Sequence, residues 1–530
     1  MLKTVSTKQR RLVALAALAT LSVTLVACTA QRGGDADASA NSTFTFVDDN
    51  IAANLDPALA SGAPELQYSK ATYETLINYD PEKKELTPGL ATEWKVAESG
   101  QEVELILRDK VKFHDDSYLT AEGVVTSLRR TLEIGKGESY LLGNVAELST
   151  GADNSVIVEL KEKDPQFIYN LTRIFIVSAK AIDEQASADS AQTWFATNEA
   201  GSGPYYLDKY EPNQTLVYKK FDDYWRGWGD KHVDEWVVKA VADPSTQLQM
   251  LQQGTADGAS AITPDELNRL KNTNNLQVKT YPGSPFYLMF NTDKGPTTKK
   301  EVREAISLAI DAKTINDTVM HGMAGPLNGP LPDWLLKTPT SSSPDRDVDR
   351  AKELIAKAGY GPNNPLELEF LYFSGWSWEE TVATVLQSEL KEIGVKLTVT
   401  GAPWASFVQQ ASDKTTRPGM GAQAVFVPTP APGPVLQASF SPISEGLWTY
   451  WGYNNPQFTK ALTDAQAASY AESDQFYQDA TQILVDDFAA VWLMNMPDSF
   501  VLQNSVQNWT YDPAWGQIPD YYNVYKEAKA

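Results

Sequence analysis

Residues 90–125, LATEWKVAESGQEVELILRDKVKFHDDSYLTAEGVV, decide how the rest of this chain is interpreted. Polar and apolar side chains alternate over residues 92–96 and 102–108, which is typical of half-buried β-strands. Gly100 lies between the two runs in a turn, and Thr120 is a good N-cap for a helix with an apolar face. The stretch therefore predicts an antiparallel hairpin followed by a helix.

Three short sequence motifs in this stretch are more specific for a protein family than its periodicity is. L-A-T-E-W-K-V, L-R-D-K-V-K-F-H-D-D and L-T-A-E-G-V resemble the signature of the family 5 extracellular solute-binding proteins. These are the capture subunits of ABC importers for peptides, nickel complexes and some oligosaccharides. The sequence departs from the family pattern at Asp116, where the family usually has glycine, and at Gly123, where it usually has an acidic residue. Further on, Gly201-Ser202-Gly203-Pro204-Tyr205 resembles the family's G-T-G-P-Y turn.

The resemblance extends from Thr43 to the C-terminus and implies an α/β fold. The expected architecture is a two-lobed clamshell, like that of periplasmic binding proteins, with mixed sheets and a first lobe that is discontinuous in sequence. We assign residues 43–78, 201–290 and 500–530 to lobe one, 79–200 to an extra subdomain of lobe one, and 291–499 to lobe two. In lobe two, residues 366–399 have the pattern of a strand, a helix and a second strand.

Composition and charge restrict the possible partners. The chain has 530 residues, of which 42% are hydrophobic and 10% aromatic, enough for large cores. The formal net charge is −23, and the first 27 residues contain four positive and no negative side chains, so the remainder carries −27. We therefore expect no nucleic-acid partner.

The N-terminal residues resemble a lipoprotein signal peptide. A basic start is followed by a short apolar run that ends at Leu25-Val26-Ala27-Cys28, and Cys28 is the single cysteine of the chain. We expect residues 1–27 to be cleaved, Cys28 to be acylated, and residues 28–42 to form a flexible tether. The alternative is an ordinary signal peptide. The lipid would hold the protein at the outer face of the cytoplasmic membrane, beside its ABC permease.

The sequence contains no familiar catalytic constellation. G-x-S-x-G, H-E-x-x-H, Walker and G-x-G-x-x-G patterns are all missing, and His114, His232 and His321 are not at metal-ligand spacing. We therefore expect a binding protein without a cofactor or metal, and keep an extracytoplasmic hydrolase as the enzymatic alternative.

The resemblance also implies a ligand site between the lobes. Ser61, Gly62 and Ala63 correspond to an extended segment that pairs main chain to main chain with peptides. Trp404 and Trp378 correspond to pocket positions of the family. Further aromatic candidates have no motif of their own: Trp376, Trp448, Tyr450 and Trp451.

One departure from the family pattern concerns how the ends of a peptide ligand are held. Peptide-binding members commonly hold the ligand's amino terminus with an aspartate, but here the matching segment includes Val427 and places Pro428 at that position. Residues 420–437 contain no charged side chain. A buried ammonium group without a partner is costly, so we expect peptide termini to be held differently. Peptide capture is the first hypothesis, and capture of a neutral oligosaccharide on tryptophan rings is the alternative.

Overall fold

The computed structural model describes residues 42–60, 63–185, 189–271, 273, 275–335, 344–442, 450–513, 515–516 and 519–527. The predicted signal peptide and all of the predicted tether before Ser42, including Cys28, lie outside these residues. So do three of the predicted site residues: Ser61, Gly62 and Trp448.

The helices and strands are described below in chain order, grouped by the predicted lobes. Lobe one begins with β1 (Thr43–Asp48), α1 (Ala63–Thr72) and β2 (Glu74–Thr75). The extra subdomain contains β3 (Ile77–Asp80), β4 (Glu85–Pro88), β5 (Ala91–Val96), β6 (Glu102–Leu107), α2 (Ala121–Ile134), β7 (Val145–Thr150), β8 (Ser155–Leu160), α3 (Phe167–Asn170), β9 (Phe175–Ile176), α4 (Ala179–Gln185) and α5 (Gln192–Phe195). The chain then returns to lobe one with β10 (Tyr205–Glu211), β11 (Thr215–Lys220), β12 (Glu235–Ala240), α6 (Pro244–Gln252), β13 (Gly258–Ala259), α7 (Pro264–Leu270) and the long β14 (Leu276–Phe290).

Lobe two alternates helices with shorter strands before the chain crosses back. Its elements are α8 (Lys300–Ala309), α9 (Ala312–Val319), α10 (Val348–Lys357), β15 (Leu366–Phe373), α11 (Ser377–Glu392), β16 (Val395–Ala402), α12 (Trp404–Ser412), β17 (Met420–Ala424), α13 (Pro432–Phe440), α14 (Pro456–Ala467), α15 (Tyr470–Asp486) and the long β18 (Ala490–Gln503). Two short strands follow in the C-terminal segment, β19 (Val506–Gln507) and β20 (Tyr525–Lys526). The strand, helix and strand predicted over residues 366–399 are confirmed as β15, α11 and β16.

The hairpin and helix predicted from residues 90–125 are confirmed. β5 and β6 pair antiparallel, and Gly100 adopts a left-handed φ of 69° in the turn between them. Thr120 Oγ1 accepts a hydrogen bond from Gly123 N at 3.0 Å, which caps the start of α2. Asp116 has a φ of 68°, the conformation that favours the glycine usual at this position, and its carboxylate pairs with Lys112 Nζ at 2.7 Å.

The Gly201–Tyr205 turn joins the subdomain to lobe one by close backbone contacts. Gly203 N donates to Thr72 O at 2.9 Å, at the end of α1. A Cβ atom on Gly201 would lie 1.8 Å from the same oxygen, so no larger residue fits there. This turn therefore needs glycine for its contact with α1.

Ten strands among the described residues form one mixed sheet that extends through both lobes. Its order is β10, β11, β12, β1, β13, β18, β14, β17, β15, β16. β14 and β18 pair along almost their whole length, so they are the segments that cross between the lobes. The two ends of this strand pair pack in different cores. Phe286, near the C-terminal end of β14, lies in a lobe-two cluster, and Phe500, near the C-terminal end of β18, lies in the lobe-one cluster.

The pairing of β14 with β18 is interrupted ahead of the predicted lobe boundary at residue 290. The register of β14 and β18 breaks between Pro282 and Pro285, and β17 joins β14 only from Phe286 onward. Proline has no N–H to donate to the ladder, which explains the break at this place. Pro497, opposite Pro282, lies close to the second predicted boundary at residue 499.

Candidate ligand-binding site

The carboxyl ends of three lobe-two strands meet at the crossing. β15 runs parallel to both β16 and β17, so these strands end on the same edge of the sheet. Immediately after β17, Val425 N donates to Pro285 O at 2.9 Å, which places this edge beside the break in β14. In open α/β sheets, ligands bind outside the carboxyl ends of the strands. The loops after β15, β16 and β17 are therefore the candidate lobe-two wall of the site.

Lobe one presents its own parallel strands to the same region. β1 is parallel to β12 and β13, and β13 pairs with β18 at Val501 and Leu502, just beyond the crossing. Asp48, the last residue of β1, accepts a hydrogen bond from Ser260 Oγ at 2.7 Å. The loop that follows β1 leads to the predicted ligand segment, residues 61–63.

An aromatic cluster covers the lobe-two wall, and three of the predicted site residues belong to it. Trp376 and Trp378 stack with ring centroids 5.6 Å apart at the start of α11. Trp404 begins α12, stacks on Phe407 at 5.7 Å and meets Phe373 edge-on at 5.8 Å. Trp404 is 58% exposed, which is unusual for a large apolar side chain. The structure therefore brings Trp376, Trp378 and Trp404 together at the edge where a ligand is expected.

Glu379 is a buried carboxyl group next to this aromatic cluster, and no sequence pattern predicted its environment. It is only 2% exposed, and its Oε2 accepts a hydrogen bond from Phe373 N at 2.9 Å. Burial raises the pKa of Glu379 to about 8, and the Phe373 hydrogen bond offsets only part of that effect. In the sequence it is one of two acidic residues at the start of a helix, a pattern that normally indicates a solvated first turn.

The charge-free segment 425–431 forms the neighbouring part of the wall. Phe426 is 66% exposed, Val427 is buried and Pro428 is partly exposed. Ala431 is fully buried and packs in the lobe-one core cluster, so the end of this segment reaches across to the other lobe. Val427 and Pro428 thus lie in a loop that contacts the region between the lobes.

Two other aromatic candidates belong to the lobe-two core. Trp451 has no exposed surface, and its Nε1 donates to Gln423 Oε1 at 2.8 Å. Tyr450 is 8% exposed and joins the same cluster. The structure does not bring Trp451 to the ligand edge, because its indole ring packs against Gly421 of β17. Aromatic content alone does not distinguish a core position from a pocket position.

The predicted lobe-one segment is preceded by a buried ion pair that sequence reasoning missed. Arg130 Nη1 and Nη2 donate to the two carboxylate oxygens of Asp56 at 2.9 and 2.6 Å, and both side chains are at most 3% exposed. Asp56 Oδ1 also accepts from Ala58 N at 3.0 Å. This pair ties the chain just before residues 61–63 to α2 of the subdomain. Ala63 is the first residue of α1.

Comparison with known proteins identifies the family. The family model described as bacterial extracellular solute-binding proteins, family 5 Middle, matches residues 85–444. The chain belongs to this family. The resemblance found in residues 90–125 is confirmed, and the protein is a substrate-binding transport protein that functions outside the cytoplasm.

Relatives and solved structures agree with this assignment. The probable D,D-dipeptide-binding periplasmic protein DdpA of Escherichia coli (strain K12) is 27% identical over 482 residues, which cover 88% of this chain and 90% of the relative. The structure of HbpA2 from Haemophilus parasuis has a TM-score of 0.79 at 22% identity, covering 92% of this chain and 100% of that one. DppA from Helicobacter pylori, in complex with the peptide STSA, has a TM-score of 0.73 at 21% identity, covering 92% and 98%. The two-lobed clamshell fold is therefore confirmed.

The histidines of this solute-binding protein have structural partners. His114 is buried, with Nδ1 2.8 Å from Glu199 Oε2 and Nε2 2.9 Å from Gly203 O. Burial alone would lower the pKa of His114, but the Glu199 carboxylate outweighs it and the pKa is raised. These two contacts of the ring link the subdomain to the Gly201–Tyr205 turn.

Two kinds of feature are absent from the described part of the chain. No group of three or more histidine, cysteine, aspartate or glutamate side chains is arranged to hold a metal ion there. Within the same residues, no helix has the length and apolar character needed to cross a membrane.

Proposed function

We propose that this solute-binding protein captures short peptides and delivers them to the permease of an ABC importer. The aromatic cluster at the carboxyl edge of the lobe-two strands is the observation that carries the proposal. Its exposed Trp404 offers a ring face to a ligand, and the adjacent segment 425–431 offers backbone groups without any charge. Such a wall favours stacking and main-chain hydrogen bonds over ion pairs to the peptide termini.

The relatives support a peptide as the ligand class. The Escherichia coli relative is named for D,D-dipeptides, and a dipeptide-binding protein of Pseudomonas aeruginosa is 25% identical over 406 residues. Ser61 and Gly62 stand in this proposal as the segment that pairs with the peptide backbone. Ala63, predicted as part of that segment, is the first residue of α1 and borders it. Trp376, Trp378, Trp404, Val427 and Pro428 form the opposite wall.

A neutral oligosaccharide is the second candidate. The exposed face of Trp404 and the stacked pair of Trp376 and Trp378 favour it, because sugar rings pack flat on aromatic surfaces. This ligand would also need no charged partner from residues 420–437.

Two measurements test which ligand is bound. Native mass spectrometry of the purified protein identifies a ligand that co-purifies with it. Calorimetry with a peptide and its N-acetylated form then tests how termini are held, and we expect similar affinities and a weak salt dependence. A large loss on acetylation would indicate a carboxylate that holds the amino terminus. Binding of a neutral glucan, with no binding of either peptide, would overturn the peptide proposal.

The proposal includes a lipid anchor at Cys28 and no enzymatic activity. Cys28→Ala should release the protein from the membrane fraction without changing its thermal unfolding, because the anchor is distant in sequence from the core. Retention of the variant in membranes after a high-salt wash would show that another segment holds the protein there.

A further inference from the structure

Lobe two also touches the extra subdomain along a seam at the start of α13. Gly433 N, in the first turn of α13, donates to Gln166 Oε1 at 3.0 Å, and both residues are buried. At the same seam Lys163 Nζ donates to Ala467 O at 2.9 Å. These contacts join segments that are separated by some 270 to 300 residues in sequence. They form only when the two lobes are close together.

Glycine at position 433 leaves room for this approach, and a side chain there would require Gln166 and Tyr477 to move. A Cβ atom on Gly433 would lie 2.4 Å from Gln166 Oε1 and 2.7 Å from Tyr477 OH. Its φ is not in the left-handed region, so backbone conformation does not require glycine here. The requirement therefore comes from the contact between the lobes. Gln166, Gly433 and Tyr477 are called the latch below.

The latch is directly connected to the candidate ligand wall. Segment 425–431, which contains Val427 and Pro428, runs straight into α13, where Gly433 is the second residue. Ala431 is already buried in the lobe-one cluster when the latch is formed. A movement of α13 therefore also moves segment 425–431, because the two are continuous in the backbone.

We propose that Gln166 is a positioning residue that closes the clamshell on its ligand by holding the N-terminus of α13. Its hydrogen bond is to Gly433, two residues beyond segment 425–431, so it acts on that segment through the backbone of α13. This inference rests on the proposed function for the ligand itself, but closure of the seam can be measured without any ligand. Loss of a buried neutral hydrogen bond should speed ligand release about two- to tenfold and leave association nearly unchanged.

Two variants remove the latch by different routes. Gln166→Ala deletes the acceptor, and Gly433→Ala inserts a methyl group between Gln166 and Tyr477 without straining the backbone. Because both abolish one contact, the double variant should behave like either single variant. Gln166→Glu keeps an acceptor oxygen and should retain the closed form. Gln475→Ala is the matched control, because Gln475 is an exposed glutamine on α15 whose side chain bonds only within its own helix.

Spin labels across the seam measure closure directly. In a Cys28→Ser background the chain has no other cysteine, so labels at Glu162→Cys and Thr463→Cys, both exposed, report the distance between the lobes. We expect a short-distance population in the wild type, Gln166→Glu and Gln475→Ala proteins, and a smaller one in Gln166→Ala and Gly433→Ala. Stopped-flow release of the peptide Ser-Thr-Ser-Ala measures the dissociation rate in the same variants.

The outcomes separate this inference from the proposed function. Equal short-distance populations in wild type and Gln166→Ala, with and without the peptide, would overturn the latch. Additive effects of Gln166→Ala and Gly433→Ala would overturn it as well. If Ser-Thr-Ser-Ala and other peptides fail to bind while the variants still shift the distance populations, the peptide proposal is wrong and the latch is supported.

Discussion

Alanine substitutions at Trp404 and Trp451 should separate ligand binding from folding. Both tryptophans were predicted from the sequence as ligand contacts. The structure assigns them different environments, since Trp404 is 58% exposed in the aromatic cluster and Trp451 is fully buried in the lobe-two core. We expect Trp404→Ala to weaken binding with a small effect on stability, and Trp451→Ala to destabilise lobe two.

The magnitudes follow from these exposures. A tryptophan side chain can bury up to about 250 Å², so the exposed 58% of Trp404 leaves about 145 Å² for a ligand. At about 25 cal/mol per Å² that area is worth at most about 3.6 kcal/mol, and we expect a loss of about 1 to 3 kcal/mol of binding free energy. Trp451→Ala opens a cavity in a close-packed core and removes the hydrogen bond to Gln423, which should cost about 3 to 5 kcal/mol of unfolding free energy.

Urea unfolding and calorimetry measure these two quantities on the same protein samples. Trp404→Ala should shift the unfolding midpoint little, because its ring is only partly packed on Phe407 and Phe373. Unchanged affinity in Trp404→Ala would refute the placement of the ligand at the aromatic cluster. A stability loss below about 1 kcal/mol in Trp451→Ala would contradict the argument that this ring is a core element.

Three further variants test particular contacts. The pKa of Glu379 is raised from 4.5 to about 8, so its contribution to unfolding free energy is fully present below pH 4.5 and is lost as pH rises through 8. Glu379→Gln should therefore remove the decline of unfolding free energy between pH 4.5 and 8. At pH 7, urea titrations should show an unfolding free energy roughly 3 kcal/mol higher than that of the wild type. An unchanged pH profile would exclude a buried protonated carboxyl. Arg130→Ala leaves the buried Asp56 carboxylate without its guanidinium partner and should lower unfolding free energy by about 3 to 5 kcal/mol, and a loss under about 1 kcal/mol would show that solvent reaches the pair. Gly201→Ala should fail to give soluble native protein, since its Cβ would lie 1.8 Å from Thr72 O; native circular dichroism and melting would contradict that distance.

The local elements could be predicted because their causes are local. The alternation in residues 92–96 and 102–108, the cap at Thr120 and the glycine at position 100 each depend on neighbours within a few residues, and all three are confirmed. A sequence pattern can locate a strand without locating its change of partners. That change depends on Pro282 and Pro285 meeting β18, some 200 residues further along the chain.

The family of this protein could be predicted from the amino-acid sequence, because its family motifs and its strand and helix periodicities are properties of short segments. Tertiary structure sets which side chains share an environment. It separated Trp404 from Trp451, paired Asp56 with Arg130 across 74 positions and brought Gln166 to Gly433 across 267. Burial and long-range contact depend on how distant segments pack, and no local pattern carries that information.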